Sequence, residues 1–201
     1  MSNTMGKLYV ISGPSGTGKG TICADLLKDY NNEFSVSMTT RAPRVGEEEG
    51  KHYFFVSKEE FQENIDKDNF LEHAVVFDNM YGTPRDAVIK KLERGRNVIL
   101  DIDVQGGLQV KKAMPEAVMI FILPPSIDVL KERLVGRQTD AADVIEKRLA
   151  ESINEIKLIG EYDYYIVNDD LAAAVAEAKS IIKAEACRLP EHVKPIISKY
   201  E

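Results

Sequence analysis

The chain of 201 residues carries a formal net charge of −7, with 44% hydrophobic and 29% charged residues, the balance of one globular domain with a sizeable core. The acidic surplus argues against general binding to nucleic acid or an anionic membrane, although local arginines can still hold a small anion. The longest apolar run, AVMIFIL at 117–123, is too short to cross a bilayer, the first ten residues lack a signal-peptide pattern, and two cysteines make no metal or disulfide framework, so the expected compartment is cytoplasmic.

In chain order, the first predicted element is a strand at 7–12 (KLYVIS), an unbroken apolar run suited to a parallel strand buried on both faces. The loop GPSGTGKGT at 13–21 follows, and then a helical pattern, TICADLLKDY. Glycines at this spacing let successive backbone N–H groups turn towards phosphate oxygens, the helix N-terminus adds its dipole, and Lys19 reaches the terminal phosphates. A preceding strand and a following helix are the context this motif requires. Gly13, Pro14, Ser15, Gly16, Thr17, Gly18, Lys19, Gly20 and Thr21 are therefore expected to hold nucleotide phosphates. Gly20 stands where a magnesium-binding hydroxyl usually follows the lysine. A Mg2+ ion is then expected to rest mainly on nucleotide oxygens and water, with Asp101 and Asp103 steadying that water from a strand end.

Residues 35–82 hold short strand-like pieces (FSVSM, HYFFV, FLEHAVVF) and a helix opening at Ser57, with Glu60 placed for a capping box. They predict an antiparallel insertion beside a parallel core. Arg41 and Arg44 lie in its first loop, and Tyr53 follows. Two guanidinium forks can clamp a phosphate monoester, but by themselves these residues read equally as a solvated charged loop. Thr83 before Pro84 is the predicted N-cap of a helix ending at Gly95. Strands at 97–101, 117–123 and 164–168 alternate with helices IDVLKERLVG, DVIEKRLAESINEI and LAAAVAEAKSIIKAEACRL. The polar stretch 137–143 between two of those helices suits a lid. Cys23 fits a core position, the three histidines lack ligand spacing, and the segment after Pro190 is expected to be peripheral. The pattern as a whole predicts an α/β domain with a parallel sheet.

The segments GPSGTGKGT, SMTTRAPRVGEEEGKHYFFV, FLEHAVVFDNMYGTP, ILDIDVQG, IFILPPS and YYIVNDD occur in the order and spacing of guanylate kinases, over residues 7–185. The chain resembles that family. The resemblance implies a phosphate-loop kinase fold in one domain spanning 1–201. Its core would be 5–34, 96–135 and 160–190, its monophosphate-binding region 35–95 and its helical lid 136–159. It also implies transfer of a phosphoryl group from ATP, with Mg2+, to GMP or dGMP.

Residue roles follow from the same resemblance. Arg41, Arg44, Tyr53 and Tyr81 would grip the GMP phosphate, while Ser37, Glu72, Thr83, Asp101 and Asp103 would line the rest of the GMP site. Arg133, Arg137 and Arg148 would approach the ATP phosphates, Asn168 would lie near adenine, and Asp101 would meet the metal through water. Lys19, Arg41, Arg44, Arg137 and Arg148 would be the catalytic set. Gln138 departs from the family, which commonly has glycine there. The Glu72 assignment also has a chemical reason. Guanine presents a ring N–H beside an amino group, and one carboxylate can accept from both. Two rivals stay open on the sequence: a kinase of the same scaffold with another phosphorylated acceptor, and a non-catalytic module that binds phosphorylated peptides.

Overall fold

A computed structural model describes residues 5–76, 78–136, 142–189, 193–198 and 200. In chain order its elements are β1 (Leu8–Ser12), α1 (Lys19–Leu26), β2 (Asn32–Phe34), β3 (Ser37–Thr39), β4 (Tyr53–Phe55), α2 (Lys58–Asp66), β5 (Phe70–Val76), β6 (Asn79–Pro84) and α3 (Arg85–Glu93). The second half holds β7 (Asn97–Asp101), α4 (Val104–Ala113), β8 (Val118–Leu123), α5 (Ile127–Val135), α6 (Ala142–Ile156), β9 (Tyr164–Val167), α7 (Leu171–Ala186) and α8 (Lys194–Ile197).

Five strands form a parallel sheet in the order β2-β7-β1-β8-β9. Every residue of β1 is buried, because successive side chains enter cores on opposite faces. Tyr9 and Ile11 pack with Ile22 and Leu26 of α1 and Ala174 and Ala178 of α7. Leu8 and Val10 pack with Val88 and Leu92 of α3, Val110 of α4 and Met114 just after it. The unbroken apolar runs of the sequence thus have their physical cause in this two-sided burial.

Two elements of this core were not expected. The short β2 completes the parallel sheet although its sequence, NEF, has no apolar run. Helix α4 carries two adjacent glycines, which lower helix propensity. Packing explains the second of them. A Cβ on Gly107 would lie 2.6 Å from the Tyr162 hydroxyl and 2.8 Å from Ser12 Oγ, so the helix can approach β1 only with hydrogen there.

A second sheet, β4-β3-β6-β5, forms the insertion. It is mixed and not purely antiparallel: β3 pairs parallel with β4, while β6 runs antiparallel to both β3 and β5. The long excursion through residues 40–52 brings β4 back alongside β3 in the same direction. As expected, Ser57 caps α2, its side chain accepting from the Glu60 N–H at 3.0 Å. Gly95, with φ of 76°, follows the end of α3. Thr83 is not the cap of α3. It lies within β6, the cap position falls on Pro84, and the Thr83 hydroxyl has another partner.

Far from these loops, the start of β1 is tied to the end of α7. The buried Glu185 side chain accepts from Lys7 Nζ at 2.9 Å and Tyr164 Oη at 2.6 Å, and pairs with Arg188 at 2.6 Å.

Candidate active site

The loop between β1 and α1 is a backbone structure. Gly13, Gly16 and Gly18 have φ of 140°, 92° and 89°, conformations that side-chain-bearing residues adopt at a cost. Gly18 is doubly constrained, since a Cβ there would lie 2.3 Å from Asn168 Nδ2. The loop is braced from within by Thr17 Oγ1, which donates to the Pro14 carbonyl at 2.9 Å. From outside, Asn168 Nδ2 donates to the Thr17 carbonyl at 2.7 Å. Asn168 is 5% exposed, and its amide braces the loop's shape. Its own carbonyl accepts from Arg133 Nη2 at 2.9 Å, which draws that arginine from α5 to the loop.

Lys19 opens α1 and folds back over the loop, donating to the Gly13 and Pro14 carbonyls at 2.6 and 3.0 Å. Burial lowers its pKa, while Asp101 and Glu155 oppose that shift. Burial conversely raises the Asp101 pKa, and Lys19 opposes the rise. A cavity of about 330 Å³ lies here, lined by Ser15, Gly16, Gly18, Lys19, Gly20, Thr21 and Asp101. A Cβ on Gly20 would meet Asp101 Oδ2 at 3.4 Å. The corner normally filled by a hydroxyl side chain is therefore faced by a carboxylate oxygen, a hard ligand that suits Mg2+ directly or through water.

The second sheet gathers the other expected residues by register. Ser37 lies beside Tyr53 on β4, Thr39 beside Tyr81 on β6, and Thr83 opposite Glu72 on β5. Alternation then puts Ser37, Tyr53, Tyr81, Thr83 and Glu72 on one face of the sheet. The rings of Tyr53 and Tyr81 meet edge to face at 6.0 Å. Thr83 is fully buried and donates to Glu72 Oε1 at 2.6 Å. Burial raises the Glu72 pKa, the Thr83 hydrogen bond lowers it, and the charge of Asp103 raises it. Asp103 caps α4, its Oδ1 accepting from the Gly106 N–H at 2.7 Å. Glu72 also lies on the wall of a cavity of about 520 Å³ between β5 and α4.

Arg41 lies over the rings of Tyr53 and Phe55, 5.5 and 5.9 Å from their centroids. Its fork is engaged by Glu47, with Nη1 and Nη2 each donating to one carboxylate oxygen at 2.9 Å. This ion pair holds the Glu47 carboxyl at about 2, well below the usual range. Glu47 is not among the site residues expected from the sequence. The spacing of Arg41, Arg44 and Glu47 around Gly46 is the signal that could have singled it out. Arg44 is exposed, and its backbone N–H also donates to Glu47. Arg148 lies half-buried on α6, with its carbonyl accepting from Ser152 Oγ at 2.7 Å. Arg137, Gln138 and most of the polar stretch expected to form the lid lie outside the described residues.

The guanylate kinase family model matches residues 5–185. A guanylate kinase of Clostridioides difficile is 49% identical over 197 residues, covering 98% of this chain and 96% of its own. One of Clostridium tetani is 51% identical over 184 residues, covering 92% of this chain and 88% of its own. The crystal structure of a guanylate kinase from Anaplasma phagocytophilum superposes with a TM-score of 0.69 at 37% identity, covering 90% of this chain and 87% of that one. With the phosphate loop, the parallel sheet and a match spanning nearly its whole length, the chain belongs to the guanylate kinase family.

Proposed function

We propose that this protein transfers the γ-phosphoryl group of ATP to GMP, and to dGMP, by direct in-line displacement without a covalent enzyme intermediate. The observation that carries the reading is the pairing of two unlike anion sites in one domain. One is a glycine loop with Lys19 over it, and the other is a sheet face that joins Arg41 to the buried acceptor pair Glu72–Thr83.

In this reading residues 13–21 hold the ATP phosphates on backbone N–H groups, and Lys19 exchanges its two loop carbonyls for phosphate oxygens. Arg41 and Arg44, with the hydroxyls of Ser37, Tyr53 and Tyr81, hold the acceptor phosphate and offset the repulsion between two approaching anions. Glu72 accepts from the guanine ring N–H and amino group, with Thr83 and Asp103 beside it. No side chain is needed as general base, because a phosphate monoester with a second pKa of about 6 is already a dianionic nucleophile at neutral pH. Asp101 and its water would hold Mg2+, which when bound neutralises charge on the nucleotide phosphates. Arg133, Arg137 and Arg148 approach the transferring group as residues 136–159 close over it, excluding water. In this reading the monophosphate-binding region is 35–95, the core is 5–34, 96–135 and 160–190, and the lid is 136–159. A cytoplasmic location is part of this proposal; among the described residues no helix is long and apolar enough to cross a membrane.

The test is ADP production from ATP and Mg2+ with GMP, dGMP, AMP, CMP, UMP and dTMP offered separately. Turnover with GMP and dGMP alone is expected. Equal rates with AMP would remove Glu72 from base recognition.

A further inference from the structure

We infer that Glu47 is a positioning residue for the acceptor phosphate: it fixes the Arg41 fork and ties it to the turn that carries Arg44. This rests on the reading of Arg41 and Arg44 as the phosphate clamp.

Arg41 is fixed from several sides at once. Its ring partners Tyr53 and Phe55, neighbours on one face of β4 with centroids 5.9 Å apart, bound it on one side. In the plane of the guanidinium, Glu47 receives both terminal nitrogens at 2.9 Å, and Nη1 also donates to the Ala42 carbonyl at 2.7 Å. Among the described residues Arg41 Nε is buried without a geometric hydrogen-bond partner, and the Tyr81 hydroxyl is the other side-chain group that acts on the guanidinium, after Glu47. The two side chains are only 14% and 18% exposed, which separates this pair from the solvated ion pair formed next to it by Lys51 and Glu48 at 65% and 64%.

Glu47 is itself held by backbone. Its N–H donates to the Arg44 carbonyl at 3.0 Å, and its Oε2 accepts from the Arg44 N–H at 2.7 Å, closing a turn that contains Gly46 at φ 87°. One carboxylate thus touches the fork of Arg41 and the main chain of Arg44. A carboxylate acting only as a stand-in for a phosphate would need no such backbone attachment. A long arginine held in one place loses less freedom on binding a dianion than a mobile one. Misplacement of such a group by about 1 Å can cost on the order of 10²-fold.

The experiment compares steady-state kinetics of Glu47→Ala, Glu47→Gln and Arg41→Ala with the parent enzyme, together with thermal unfolding. Glu47→Ala is expected to raise KM for GMP about 10-fold or more with KM for ATP unchanged. Glu47→Gln should fall between, because its amide oxygen can still accept from one Nη while its NH2 group cannot accept from the other. An unchanged or lowered KM for GMP in Glu47→Ala, beside an impaired Arg41→Ala, would overturn the positioning role alone. So would a parallel rise in both KM values with a lowered melting temperature, which marks a general fold defect. Normal GMP kinetics in Arg41→Ala would remove the clamp and, with it, this role of Glu47.

Discussion

The two anion sites proposed for this molecule are built from different materials. Residues 13–21 form theirs from main chain, with three glycines at positive φ and a lysine at the helix start. The clamp proposed around Arg41 is built from side chains of β4 and of the loop before it, with Glu47, Tyr53 and Phe55 about the guanidinium. A backbone site is compact in sequence, with its glycines and lysine inside nine residues, although Asn168 braces it from outside. A side-chain site exists only after strand register has been fixed, so it depends on distant pairing and tolerates different substitutions.

The first substitution to separate them is Lys19→Ala. It should lower kcat by about 10²- to 10³-fold, because the lysine faces charge that moves during transfer. The protein should still fold, since among the described residues Lys19 Nζ bonds only to loop carbonyls. Normal turnover in this variant would break the contrast at its strongest point. Arg41→Ala comes next, with a loss of about 10²-fold in kcat/KM for GMP and little change in KM for ATP.

Thr83→Val sharpens the other half. It keeps the shape but removes the donor to Glu72, leaving a buried carboxylate with one partner fewer. A loss of about 1–3 kcal/mol in chemical denaturation is expected, with about 10-fold lower kcat/KM for GMP. An unchanged stability would show that water replaces the hydroxyl.

The smallest effect is in pH dependence. Lys19 is charged below its pKa, and burial lowers that pKa from the ordinary lysine value. Activity dependent on its charge is therefore complete at lower pH and falls as pH rises through the lowered value. The alkaline limb of kcat/KM for ATP should start below the usual range of about 10.4. Asp101→Asn, which removes an opposing charge, should move the limb lower still. A limb that stays in place would exclude Asp101 as its electrostatic partner.

Legibility in the sequence follows the same division. The phosphate loop, the strands at 97–101, 117–123 and 164–168, and the caps at Ser57 and Gly95 are local patterns, visible in a few adjacent residues. Strand β2 was hidden because three residues of mixed polarity are held by pairing with β7 and not by their own propensity. Helix α4 was hidden because Gly106 and Gly107 answer to neighbours, which local rules do not contain. The family resemblance supplied the residues around GMP, whereas register supplies the physical reason that they meet. Glu47 escaped both, since three successive acidic residues read as solvent-exposed and only the folded loop separates the first from the other two.

The hydrogen bond from Thr83 to Glu72 fixes the direction of a hydroxyl. With its proton committed to an ionised Glu72, Thr83 Oγ1 faces any neighbouring base with lone pairs only. The pair then forms a row of acceptors that welcomes an amino group and repels a carbonyl. A purine monophosphate with oxygen in place of the guanine amino group would set like poles against each other. In the proposed reading the site would refuse that deaminated base as well as adenine, the first through the committed Thr83 proton and the second through the Glu72 carboxylate.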